Sequence, residues 1–198
     1  MKPSLILASA SQSRRQLLKN AVIEFSSIVS SVDEDIIKKV FLKDGQVEDL
    51  ALVLAQAKAI DVSQTNQNAF VIGADQTLIF ENTIYDKPIS RKDARDQLLK
   101  LRSNTHQLET AVSVAKNGQV VWNYSESSYL TMRNFSPEFL GHYLSTQGDE
   151  VKTSVGGYKL EGQGLQFFER IEGDFFSILG LPMLELLKFL RRENIIEQ

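Results

Sequence analysis

Cysteine is absent from the sequence, which removes disulfides, thiolate metal sites and cysteine nucleophiles together. Histidine is almost as scarce. His106 and His142 are the only two, too few for the common zinc sites. No apolar run reaches the roughly 20 residues of a membrane-spanning helix, and no signal-peptide core is evident. The expectation is a cytoplasmic protein with no membrane attachment. Cations do not predominate either: 22 Lys and Arg stand against 25 Asp and Glu, a net charge of −3. That argues against a nucleic-acid binder working through a broad basic face. A small anionic ligand stays open, because it needs only a local cluster of cations. Prolines are few, at four in 198 residues, and no linker, repeat or low-complexity tract interrupts the chain. The P-loop, G-x-S-x-G and G-x-G-x-x-G patterns are missing too, against a Walker-type NTPase, an α/β-hydrolase and a dinucleotide dehydrogenase.

What is present begins at the amino end. Leu5-Ile6-Leu7-Ala8 reads as a short buried strand, followed by Ser9, Ser11, Arg14 and Arg15 and a helix over 14–20 with Leu17 and Leu18 inward. A strand that turns into a helix leaves unpaired backbone N–H groups, a ready anion site. Hydroxyls add neutral donors, and a guanidinium can grip phosphate oxygens with two parallel bonds. The stretch is a polyphosphate cradle on one reading and an ordinary serine-capped helix with solvated arginines on the other.

Further along, Val22 to Val29 reads as a second strand or extended chain leading into Val32-Asp33-Glu34-Asp35, an acidic turn that is either a solvated loop or helix cap or a source of one hard-cation ligand. Helical spacing of Leu50, Val53, Leu54, Ala57 and Ile60 predicts a helix over 47–62, with Lys58 beside the stripe, snorkelling unless that face points toward the phosphate cradle. Residues 69–74 have the pattern of a central strand buried on both faces, followed at once by Asp75 and Gln76. Ligands bind at the carboxyl ends of such strands, which makes Asp75 a catalytic candidate. Residues 78–85 predict a hairpin closed by Asp86-Lys87-Pro88, the proline biasing Lys87 to an extended conformation. Ser90 caps a helix to Leu101. Asn117-Gly118 is the strongest two-residue hairpin signal, with 125–133 as a third antiparallel strand. Ser136-Pro137-Glu138 starts a helix. A glycine-rich loop over 156–164 carries Lys159 and Glu161, a second hairpin is predicted through Gly173-Asp174, and Leu181-Pro182 opens the last helix. The antiparallel middle of an otherwise α/β pattern makes two lobes within one domain plausible.

As a set, these motifs resemble the Maf family in order. They are Leu7-Ala8-Ser9-Ala10-Ser11 with Arg14-Arg15, Val32-Asp33-Glu34, Ala55-Gln56-Ala57-Lys58-Ala59, Gly73-Ala74-Asp75, Asp86-Lys87-Pro88, Gly156-Gly157-Tyr158 and Gly180-Leu181-Pro182. The resemblance covers nearly the whole chain. It implies an elongated, two-lobed, mixed-sheet α/β fold similar to that of inosine triphosphatase, formed by residues 1–198 around a central cleft. It also implies a pyrophosphatase that cleaves a nucleoside triphosphate to its monophosphate and pyrophosphate with a divalent cation (Mg²⁺, Mn²⁺ or Co²⁺). A role in septum inhibition is attached to the family name.

By that resemblance Asp75 matches the proton acceptor, and Ser9, Ser11, Arg14, Arg15, Lys58 and Lys87 bind substrate. Glu34, with Asp75, would hold the metal. Ser13, Gln76 and Glu161 stand where specificity is set. Gln76 and Glu161 look like the 7-methyl-GTP branch, whereas the dTTP/UTP branch would show Ala-Asp-Thr and Ile-Gln-Gly. Gln12, where proline is common, and Ser13, where either branch carries a larger side chain, depart from the pattern. The alternatives are a dTTP/UTP-preferring pyrophosphatase, a metal-dependent phosphomonoesterase and a nucleotide-binding regulator of division without turnover. A homodimer would be unsurprising for this fold.

Overall fold

The computed structural model of the chain describes residues 4–197. In chain order its elements are β1 (Leu5–Leu7), α1 (Gln12–Asn20), β2 (Ser26–Ser27), α2 (Glu34–Phe41), α3 (Leu50–Thr65), β3 (Phe70–Phe80) and β4 (Thr83–Tyr85). There follow α4 (Arg91–Leu101), β5 (Thr105–Lys116), β6 (Gln119–Met132), α5 (Pro137–Gln147), β7 (Phe168–Glu172), α6 (Phe175–Ile178) and α7 (Met183–Arg192). The strands form one mixed sheet in the order β2-β1-β3-β5-β6-β7, with β4 paired to β3. β1 runs parallel to β2 and β3, while β3–β4 and β6–β7 are antiparallel. The mixed α/β class is the predicted one. The chain divides into two compact units, one holding residues up to Gln76, Thr110–Glu126 and Asp174 onward, the other Thr77–Glu109 and Ser127–Gly173.

In the first unit the alternation of β3 sorts its side chains between two layers. Phe70, Ile72 and Ala74 join Leu5, Leu7 and the Met183, Leu186, Phe189 and Leu190 stripe of α7 in one core. Trp122 stacks on Phe189 with ring centroids 4.9 Å apart. Val71 faces the other way, with Ile6, Ala8 and Val62 of α3. The buried face of α3 includes the predicted Leu50 and Leu54 but not Val53, Ala57 or Ile60. It comprises Leu50, Ala51, Leu54, Ala55, Lys58, Ala59, Val62 and Ser63. The reason is close packing on β3: a β-carbon at Gly73 would stand 2.1 Å from the Ala55 carbonyl oxygen and 2.7 Å from the Ala59 nitrogen. Alanines opposite a glycine let the helix backbone approach where larger residues could not. Lys58 is carried inward with them.

The second unit is packed largely by aromatic rings. Phe167 meets Phe135, Phe139 and Tyr143 edge-on, with centroids 4.7–5.1 Å apart. His106 is buried, its Nε2 lying 2.7 Å from the Tyr158 hydroxyl, and its Nδ1 has no partner among the described residues. Burial lowers its pKa to about 4.

Several elements differ from the sequence expectation. Residues 125–133 are not a third strand but the second half of β6, because no turn residue breaks the alternation after Tyr124. The extended stretch over 22–29 forms only the two-residue β2. No hairpin passes through Gly173-Asp174: Asp174 accepts from the Ser177 amide at 2.9 Å and starts α6 instead. The acidic turn at 32–35, by contrast, takes its helix-cap reading: it opens α2, whose N-cap Asp33 accepts from the Ile36 amide at 3.1 Å.

Candidate functional site

The candidate site lies where the parallel strands of the first unit end. β1 stops at Leu7 opposite Ile72, whereas β3 continues to Phe80, so Asp75 and Gln76 stand past the end of β1. They lie within a strand and not after one, as the apolar run alone had suggested. The loop after β1 and the start of α1 carry the serines and arginines that the sequence singled out. Ser11 caps α1, accepting from the Arg14 amide at 3.3 Å, and Ser9 Oγ accepts from the Ser11 amide at 3.1 Å and from Arg14 Nη1 at 3.4 Å. Arg14 Nε donates to the Gly180 carbonyl at 2.8 Å. The helix is therefore serine-capped, yet Arg14 is held and half-buried, not solvated. Desolvation pulls the pKa of Arg14 down and the negative charges of Asp75 and Glu34 push it up; the guanidinium stays charged. Ser13 and Arg15 are half-buried on the same helix.

Lys58 joins the two carboxylates that the sequence singled out. Its Nζ lies 2.7 Å from Asp75 Oδ1 and 2.8 Å from Glu34 Oε1. Lys58 and Asp75 are buried, and the Glu34 side chain is 52% exposed. The lysine expected to snorkel is instead the centre of an ion triad, reached because Gly73 and Asp75 share the β3 face that packs on α3. One turn along α3, Asp61 Oδ2 accepts from Ser30 Oγ at 2.9 Å and the Ser31 amide at 2.8 Å, and Oδ1 from Ser31 Oγ at 3.0 Å. These bonds, the Ser31 amide foremost, lower the pKa of Asp61. The segment bearing Glu34 is thus fastened to α3 twice, by Asp61 and by Lys58. Asp61 was missed by sequence reasoning; its signal is its place three residues after Lys58, facing the serines that precede the acidic run.

Gln76 points to the opposite face of β3. Its Nε2 donates to Thr110 Oγ1 at 2.8 Å and to the carbonyls of Ser177 at 2.9 Å and Ile178 at 3.1 Å. Thr110 in turn donates to Ser177 O at 3.0 Å. Thr110 was also missed, since a threonine in an apolar strand reads as a β-former. Lys87 and Glu161 belong to the second unit, and both are exposed.

Among the described residues, no group of three or more His, Asp or Glu side chains is placed to hold a metal ion. Glu34 and Asp75 nevertheless offer hard carboxylate oxygens around one cationic position. Mg²⁺ is commonly bound by one or two carboxylates when substrate phosphates complete the shell. The donor chemistry fits a divalent cation that arrives with a phosphorylated ligand.

Residues 4–193 match the family model described as Maf-like protein. The chain is 46% identical over its whole length to a 7-methyl-GTP pyrophosphatase of Brucella abortus, covering all of that protein. It is 48% identical to a nucleoside triphosphate pyrophosphatase of Paramagnetospirillum magneticum over 96% of this chain and 98% of that one. Among solved structures, the Ham1 protein of Staphylococcus aureus superposes with a TM-score of 0.48 at 14% identity, covering 96% of this chain and 99% of that one.

Proposed function

The chain belongs to the Maf family, and from that premise we propose that it is a nucleoside triphosphate pyrophosphatase, with 7-methyl-GTP or a similarly modified purine nucleotide as preferred substrate. The whole chain acts as one domain. The observation that carries the reading is the Asp75–Lys58–Glu34 triad beside the anchored Arg14. A non-catalytic binder has no need of a buried carboxylate at that point.

Ser9, Ser11, Arg14 and Arg15 bind the triphosphate, Arg14 through the guanidinium nitrogens that Gly180 leaves free. Lys58 uses one N–H for each carboxylate and keeps a third for a phosphate oxygen. Lys87 adds a cation and Glu161 a base contact; Ser13 and Gln76 stand at the other specificity positions. All four assignments rest on the resemblance. A divalent cation held by Glu34 and Asp75 would supply charge neutralisation to the triphosphate. Water attacks the α-phosphorus, its proton passes to the Asp75 carboxylate, and the bond from the α-phosphorus to the β-bridging oxygen breaks with release of pyrophosphate. Lys58 fixes Oδ1 and orients the carboxylate for that transfer.

The test is a panel of 7-methyl-GTP, GTP, dTTP and UTP with Mg²⁺, read by pyrophosphate release. Highest kcat/KM for 7-methyl-GTP supports the reading. Preference for dTTP or UTP refutes the substrate assignment, and orthophosphate as the sole inorganic product refutes the reaction.

A further inference from the structure

The surroundings of Gln76 determine which end of its amide can meet a ligand. Three atoms face its inner end: Thr110 Oγ1 and the carbonyl oxygens of Ser177 and Ile178. Two of these can only accept. The third is obliged to accept as well, because the single hydroxyl proton of Thr110 goes to Ser177 O. A wall of three acceptors admits the NH₂ of a glutamine and repels its carbonyl, so the amide cannot turn over without burying oxygen against oxygen. Thr110 and Ser177 are fully buried, which denies water the chance to relieve that clash. Gln76 itself is half-buried, and its Oε1 accepts no hydrogen bond from the described residues.

The same carbonyl segment is independently fixed. Ser177 O also accepts from the Gly180 amide at 2.8 Å, Gly180 lies at φ +105°, and Gly180 O accepts from Arg14. The Ser177 hydroxyl donates to Glu126 Oε1 and the Ser177 amide to Asp174 Oδ1. The acceptors that orient Gln76 are thus part of the segment that holds the phosphate-gripping arginine.

We propose that Gln76 meets the substrate as a hydrogen-bond acceptor only, so that it selects nucleobases presenting an N–H donor, and that the carbonyls of Ser177 and Ile178 fix this polarity with the Thr110 oxygen beside them. The proposal rests on Gln76 being a specificity residue, and it adds the sign of the contact and the groups that set it. A guanine edge carries such donors at N1 and at the 2-amino group, which ITP and 1-methyl-GTP lack one at a time.

The experiment compares kcat/KM for GTP, ITP and 1-methyl-GTP in the wild type, Gln76→Leu and Thr110→Val. In the wild type, loss of the contacted donor lowers kcat/KM by roughly tenfold or more. Gln76→Leu, which has no acceptor, loses that discrimination. Thr110→Val, nearly isosteric, keeps it, because the Ser177 and Ile178 carbonyls still admit only the NH₂ of the amide. Equal handling of all three nucleotides by an active wild type overturns the inference while leaving the pyrophosphatase reading intact. So does undiminished discrimination in a folded, active Gln76→Leu, or its loss in a folded Thr110→Val. No turnover of any nucleotide by the wild type overturns both.

Discussion

Lys58 Nζ lies 2.7 Å from Asp75 Oδ1, a buried contact between a helix and the strand it packs on. Two charges taken out of water cost several kcal/mol each and are tolerated only as a pair. Truncating Lys58 therefore leaves Asp75 buried without a counter-charge. Lys58→Met should destabilise the protein by about 3 kcal/mol, seen as a lowered thermal midpoint, and should also remove most turnover. A variant as stable and as active as the wild type would show the contact to be incidental.

Gly73 enables that contact without taking part in it. A methyl group there meets the α3 backbone at 2.1 Å, and backbone cannot step aside as a side chain can. Gly73→Ala should cost roughly 1–3 kcal/mol by overpacking and reduce kcat, because α3 retreats and carries Lys58 away from Asp75. Thermal melting together with steady-state kinetics checks both effects. Loss of stability with full activity would separate helix packing from catalysis.

The divalent cation should depend on the nucleotide for its site, since two carboxylates around a lysine form only part of a coordination shell. Turnover should cease on thorough chelation and return with Mg²⁺ or Mn²⁺. Titration with Mn²⁺ followed by electron paramagnetic resonance should show weak binding to the protein alone and tighter binding when a non-hydrolysable triphosphate is present. Activity surviving chelation would refute the role given to Glu34.

Acid should weaken the fold through His106. Its folded pKa of about 4 lies below the ordinary 6.5, so the native state binds fewer protons than the unfolded chain between those values. The stability it contributes is full above pH 6.5 and is lost as the pH falls toward 4. Between pH 7 and 5 the loss is about 2 kcal/mol. Urea unfolding at the two pH values measures it, and His106→Gln should show a smaller drop than the wild type. An identical drop in the variant would assign the acid sensitivity to other groups.

Local chemistry was readable from sequence where one or two residues dictate a conformation. Ser90 caps α4 and Ser136 caps α5 as their positions predict, while α1 is serine-capped but starts two residues earlier than expected, after Ser11. Asn117 and Gly118 turn the β5–β6 hairpin with φ of +53° and +77°. Asp174 shows the limit, because an aspartate after glycine serves a hairpin or a helix start equally well. The face of α3 was illegible for a different reason. Periodicity favours the bulkier Val53 and Ile60, whereas the sheet selects Ala55 and Ala59 for their lack of bulk, a preference visible only with Gly73 opposite. Lys58 followed that error. Asp75, Glu34, Arg14 and Gln76 were singled out from sequence, while the groups that hold Glu34, Arg14 and Gln76 in place, Asp61, the Gly180 carbonyl and Thr110, belong to residues whose types announce nothing.

The most direct test is the fate of the water oxygen. The protein, Mg²⁺ and 7-methyl-GTP are incubated in ¹⁸O-enriched water, and the products are read by ³¹P nuclear magnetic resonance. Attack at the α-phosphorus predicts equal amounts of nucleoside monophosphate and pyrophosphate, the isotope-shifted signal confined to the monophosphate, and no products with Asp75→Asn. Label in the pyrophosphate, release of orthophosphate, or full turnover by Asp75→Asn would contradict the account.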